Sequence, residues 1–345
     1  MSEFVSTVGQ GSGVRRTLVS GGAGFIGSHL VDQLLARGDR VTVVDNLSTG
    51  NRSNLPDEHP HLRFIEASVK DAIAVFGPGE RFDEIYHLAA AVGVQLVLDD
   101  PIGSIETNVE QTAAVLRFAR TAGRDGAPSS VLITSSSEVY GKPDREVFCE
   151  DDDVVYGPTT VLRWSYAQTK AIDEYLGLAH HARLGVPVVV VRLFNTVGPR
   201  QVGSYGMVLP RFVASALRDE PLEVYGDGRQ SRCFCDVRDV AKVLPRLLET
   251  SACHGRVFNV GSDEPISIGE LAQLVVDALG SGSPIRTVPY EQAYPDGFED
   301  LPRRRPSIER VREAVGFEPK ISIRQTILDL ADAMREGTQG RMTRT

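Results

Sequence analysis

Apolar residues along this chain fall in short, almost unbroken runs separated by longer amphipathic stretches. TLVSG at 17–21, RVTVVDN at 40–46, RFIEASV at 63–69, EIYHLAA at 84–90, SVLITSS at 130–136 and PVVVVRLFN at 187–195 each read as a strand. Runs apolar on every residue, rather than on alternate ones, are what strands buried on both faces require. Between them the spacing predicts helices: FIGSHLVDQLLARG, closed by Gly38; Ile105 to Ala122, with Ala113, Leu116 and Ala119 on one stripe; and Tyr166 to Leu184. Strands alternating with helices predict an α/β fold with a parallel sheet covered on both faces.

Beyond about residue 196 glycine and proline punctuate shorter elements, and the expected organisation follows from that change. Residues 1–14 are a loose tail, 15–195 a doubly wound sheet domain, 196–336 mainly a smaller C-terminal α/β lobe, and 337–345 a second loose tail. Part of 236–262 is expected to return to the main sheet, around Asp236 to Leu248.

The first strand runs into Gly21-Gly22-Ala23-Gly24-Phe25-Ile26-Gly27, which opens a helix. Glycines there permit a tight turn, let backbone N–H groups approach a pyrophosphate at the helix N-terminus, and let helix pack closely on strand. Asp45 ends the second strand, eighteen residues past Gly27. Its carboxylate is placed to accept from ribose hydroxyls and to repel a 2′-phosphate, so a Rossmann-type site for NAD rather than NADP is expected. Tyr166 and Lys170, four apart on one helix face, suit general-base chemistry in which the ammonium and the positive nicotinamide lower the phenol pKa. Thr134-Ser135-Ser136-Ser137-Glu138-Val139-Tyr140-Gly141 puts hydroxyls at the C-terminal edge of the sheet, where ligands of open α/β sheets bind.

Composition narrows the partners. The 345 residues carry 37 Lys and Arg against 46 Asp and Glu, a formal charge of −9, which argues against nucleic acid or an anionic membrane as the main partner. No apolar run reaches the length of a membrane span. Glycines interrupt the apolar stretch after Arg15 and Arg16, so it does not read as an export signal. The four cysteines form no CxxC pair, which predicts neither disulfide framework nor zinc site and favours a cytoplasmic location. His180-His181 lacks acidic or cysteine companions at metal spacing, and Arg303-Arg304-Arg305 is an isolated basic run, so no metal is expected.

Taken together, SGGAGFIG, VVDN with LSTG, YHLAA, TSSSEVYG, YAQTK, RLFNTVGPR, VYGDG with QSRCF, and RRRP resemble the extended short-chain dehydrogenase family of NAD-dependent nucleotide-sugar epimerases and dehydratases, in the family's order over most of the chain. Ser20 stands where the family usually has Thr. The resemblance implies that Tyr166 is the base, Lys170 its electrostatic partner and a ribose ligand, and Ser136 the hydroxyl sharing a hydrogen bond with the reacting sugar oxygen. It places Gly21, Gly24, Phe25, Ile26, Gly27, Asp45, Asn46, Ser48, Thr49, Gly50, Ser68, Val69, Leu88, Ala89, Ala90, Asn108, Tyr166 and Lys170 around NAD. It places Asn195, Val208, Leu209, Val224, Tyr225, Arg232 and Arg304 around a nucleotide diphosphate. It also implies a homodimer formed through helices flanking the sheet, one of them Tyr166 to Leu184.

The reaction is read from Ser136-Ser137-Glu138. Family 4,6-dehydratases carry Asp-Glu in the last two of these positions, UDP-glucuronate decarboxylases Thr-Ser-Glu, and UDP-hexose 4-epimerases usually Ser followed by small residues. The longer match looks most like a UDP-glucuronate 4-epimerase, an isomerase yielding UDP-galacturonate for moenomycin-type antibiotic synthesis; UDP-glucuronate decarboxylase and UDP-glucose 4-epimerase are the alternatives. A uronate needs a carboxylate grip. Arg192 is the candidate, against a purely internal ion pair, with Ser137, Val94 and Gln95 as further wall. For Glu138 three roles stay open: contact with sugar hydroxyls, proton transfer, or orientation of loops.

Overall fold

The computed structural model describes residues 13–77, 79–91, 100–202, 207–293 and 303–342. Seven parallel strands form the main sheet: β1 (Arg16–Ser20), β2 (Arg40–Asp45), β3 (Leu62–Glu66), β4 (Glu84–His87), β5 (Ser130–Ser136), β6 (Val188–Leu193) and, after four short strands, β11 (Arg256–Val260). Their order is β11-β6-β5-β4-β1-β2-β3. The winding direction reverses between β1 and β4, which opens a crevice at the carboxyl ends of those strands.

Alternation along each strand divides the core in two. Val19, Val43, Leu132, Val189 and Val191 face one side, with Leu30, Val31 and Leu34 of α1 (Phe25–Ala36). Leu18, Val44, Ile133, Val188 and Val190 face the other, under α2 (Val69–Val75), α3 (Pro101–Ala119) and α4 (Trp164–Leu184). Asp100 caps α3 by accepting from Gly103 N at 2.9 Å, and Pro101 opens it, which moves its start four residues ahead of the predicted Ile105. Gly185, at φ +69°, ends α4 where Leu184 was expected to.

In the C-terminal part, α5 (Val208–Ala216) and β8 (Leu222–Tyr225) share a third apolar cluster with residues 268–279 and 323–334. The small strands are β7 (Thr196–Val197), β9 (Ser231–Cys233), β10 (Cys235–Asp236), β12 (Pro265–Ser267), β13 (Ile285–Val288) and β14 (Arg303–Arg304). The return to the main sheet differs in detail from the expectation. Val237–Glu249 is helix α6, packed on the α1 side, and the added strand is Arg256–Val260. Leu244, Leu247 and Leu248 of α6 recur at helical spacing, a period that the apolar content alone conceals. Among the described residues no helix is long and apolar enough to cross a membrane, and no cluster of His, Cys, Asp and Glu could hold a metal ion.

Candidate active site

The crevice at the switch point is a cleft of about 670 Å³ running from the glycine turn to the C-terminal lobe. The turn is built for close approach. Gly21 has φ +71°, and a Cβ there would sit 2.7 Å from Ala89 N; at Gly27 it would sit 2.0 Å from Gly21 O. Only glycine fits either place. Gly24 caps α1 without any side-chain hydrogen bond, so the first N–H donors of the helix remain available at the cleft wall. Asp45 is 8% exposed, and its carboxylate accepts from Ala23 N and Leu47 N, both at 2.9 Å, which fixes it at the end of β2. Phe25, Ile26, Asn46, Ser48, Thr49, Ser68, Val69, Leu88, Ala89 and Ala90 line the same cleft. An extended dinucleotide fits this donor set: N–H groups at the turn for the pyrophosphate and an acid for the ribose. Asp45→Asn is expected to weaken NAD retention about tenfold, the scale of one charge-assisted hydrogen bond, read from the NAD content of purified protein.

Two of the residues expected at the cofactor stand just behind that surface. Asn108 is 2% exposed; its Oδ1 accepts from Ala91 N at 2.8 Å, pinning the chain after β4. Gly50 does not line the cleft but lies against Asp45, where a Cβ would come within 2.9 Å of Oδ1.

Deeper in, β5 delivers the hydroxyls. Ser136 ends the strand and caps the following turn by accepting from Glu138 N at 3.2 Å, so one side chain sets the orientation of the next. The Tyr166 phenol stands beside Ser136, whose hydroxyl favours its ionised form. Burial, then the Glu138 carboxylate, push that phenol above its ordinary value. Lys170, expected to lower it, donates from Nζ to Asp173 Oδ2 at 3.0 Å.

Glu138 is where the cleft becomes cationic. It accepts from Arg304 Nη1 at 2.5 Å, and Arg163 Nη2 lies 3.8 Å from its second oxygen. Burial raises the carboxyl's pKa, but Arg304, Arg163 and Arg232 together outweigh it and hold the group below the usual carboxylate range. Glu138 keeps 25% of its side-chain surface open. Arg304 is 7% exposed, and its Nε has no hydrogen-bond partner among the described residues. A smaller pocket of about 210 Å³ continues into the lobe, sharing Glu138, Arg163, Asn195 and Arg304 with the cleft and adding Val208, Leu209, Tyr225 and Arg232.

Two sequence expectations fail here. Arg192 does not reach the cleft. Strand alternation puts it on the face of Val188 and Val190, where its guanidinium forms two bonds to Glu174 of α4, at 2.9 and 2.7 Å, donates to Glu150 O and stacks 4.6 Å from the Tyr140 ring. It is the internal ion pair, not a carboxylate grip. Val224 is 2% exposed in the lobe core, and Tyr225 is its cleft-facing neighbour. Val94 and Gln95 lie outside the described residues. Conversely, Arg163 lines both pockets although no sequence motif singles it out; its place three residues before Tyr166, one helical turn away, is the signal that could have found it.

Residues 17–261 match the model of the NAD dependent epimerase/dehydratase family. A UDP-N-acetyl-α-D-glucosaminuronate decarboxylase of Bacillus cytotoxicus is 39% identical over 323 residues, 93% of this chain and 98% of that protein. UDP-glucuronic acid decarboxylase 4 of Arabidopsis thaliana is 37% identical over 334 residues, 94% of this chain and 71% of that one. The structure of the UDP-glucose 4-epimerase of Thermus thermophilus complexed with NAD superposes with a TM-score of 0.78 at 29% identity, over 93% of this chain and 99% of that chain. These curated relatives are decarboxylases, which overturns the expectation of an isomerase.

Proposed function

The chain belongs to the NAD dependent epimerase/dehydratase family, its cofactor is NAD, and on that premise we propose that it decarboxylates a UDP-hexuronate, UDP-glucuronate in the first place, through a transient 4-keto sugar. The observation that carries this reading is the placement of Glu138 and the part-satisfied Arg304 beside Ser136 and Tyr166. An anionic sugar bound there meets a buried guanidinium with a donor to spare, and a carboxylate that keeps the cation from being wholly committed to the substrate.

When bound, NAD supplies a reversible two-electron acceptor for C4 and a positive ring charge near the phenol. The residues do the rest. Tyr166 takes the proton of the 4-hydroxyl while Ser136 holds the same oxygen. The resulting sugar is a β-keto acid, and its C5–carboxyl bond breaks when it stands perpendicular to the ketone plane, the electron pair passing into the C4–C5 enolate. Ser136 and the protonated Tyr166 stabilise that enolate oxygen. Arg304 orients the carboxylate, Arg163 and Arg232 hold the diphosphate, and planar guanidinium forks suit both anions. CO₂ leaves, C5 takes a proton from solvent water, C4 is reduced again, and Tyr166 returns its proton to the C4 oxygen. In this reading Glu138 sets the charge around the departing carboxylate.

Incubation with UDP-glucuronate, and separately with its 2-acetamido counterpart, is expected to give UDP-sugars lighter by CO₂ from at least the first. A product of unchanged mass from both would overturn the proposal.

A further inference from the structure

Lys170 is 2% exposed and shares a helix face with Tyr166, one turn before it. One turn further along α4 lies Asp173, with no exposed surface, and its Oδ2 accepts from Lys170 Nζ at 3.0 Å while its Oδ1 accepts no hydrogen bond among the described residues. Burial pushes the pKa of this carboxyl above its ordinary value, Lys170 draws it back down, and Glu174 adds to the rise. Thr112 of α3 stands beside the carboxyl, and the Thr112 hydroxyl is 3.1 Å from His87 Nε2 of β4. His87 in turn meets Ser20, at the edge of the glycine turn, at 2.7 Å through Nδ1. Burial, and then Lys170, hold the imidazole down at about 3, so it stays neutral. Glu174, next along the helix, is occupied by Arg192 and Ser135. Glu138 approaches Tyr166 from the turn after β5 and adds negative charge on that side.

A fully buried carboxylate beside a catalytic ammonium is costly unless it does something for that ammonium. We propose that Asp173 is a positioning residue: it fixes Lys170, one turn along α4 from Tyr166, and offsets its charge, so that the pH at which the tyrosine works depends on this carboxylate as well as on the ammonium. The proposal rests on reading Tyr166 as the base. The sign follows from charge. A carboxylate near the phenol disfavours phenolate, and Asp173 acts on Tyr166 in that direction. Removing its charge leaves Lys170 unopposed and makes the phenol easier to ionise.

The test is an ultraviolet difference titration of tyrosinate in the NAD-loaded protein, with Tyr166→Phe as the blank for the other tyrosines, on the parent, Asp173→Asn and Asp173→Ala. Asparagine keeps the volume and removes the charge; alanine removes both. The expected result is a downward shift of the Tyr166 transition in both variants, by about half to one pH unit, with the acidic limb of the pH–rate profile moving by the same amount. Unshifted curves in folded variants would overturn the proposal. So would failure of both variants to fold, since the carboxylate would then serve the helix rather than the tyrosine. Absence of CO₂ release by the parent would instead count against the proposed reaction, and would leave the tyrosinate titration standing.

Discussion

Tyr166→Phe is expected to lower turnover of UDP-glucuronate by about a thousandfold or more while the protein stays folded and retains NAD. The phenol lines the cleft together with Ser136, and positioned general acid–base groups contribute on the order of 10²–10⁴ in rate. Phenylalanine keeps the ring, so the packing of α4 against β5 is preserved. Lys170 and Asp45, which hold the ribose hydroxyls in this account, are untouched. The check is single-turnover rate together with NAD content. Turnover within tenfold of the parent would remove Tyr166 from the reaction.

The second large effect is expected at Arg304. Arg304→Met should reduce turnover of UDP-glucuronate by about a hundredfold or more, and should also destabilise the protein, because Glu138 is left in the cleft without its main partner. Adding Glu138→Gln removes the stranded charge. The double variant is therefore expected to recover thermal stability but not turnover. That split separates a structural ion pair from a group that handles substrate, and recovery of both would reduce Arg304 to the former. Arg304→Lys is not expected to substitute, since an ammonium lacks the planar fork.

Why the reaction type was harder to read than the cofactor site is plain from where the groups lie. The glycine turn, Asp45 and the Tyr166–Lys170 spacing are local patterns, each within one βα unit or one helix, and periodicity alone places them. The cationic end of the cleft is not local. Residues 138, 163 and 304 come from the turn after a strand, a helix start and a short strand of the lobe, and only the fold brings them together. In the proposed reading the Ser, Tyr and Lys motifs serve the chemistry at C4, which an epimerase would need as well, so they do not separate the two reactions. The proposal separates them by how the C5 substituent is held, and assigns that to these distant side chains. Arg192 is a different case. It shares strand parity with Val188 and Val190, on the face that α4 covers, and its pairing with Glu174 of α4 agrees with that parity.

The account is tested most directly with UDP-glucuronate carrying carbon-13 in its carboxyl group, supplied to the purified protein in deuterated water without added NAD. Decarboxylation through a 4-keto sugar predicts labelled CO₂ in a one-to-one ratio with a UDP-pentose bearing one deuterium at C5. A product that keeps the labelled carboxyl and the parent mass would contradict it.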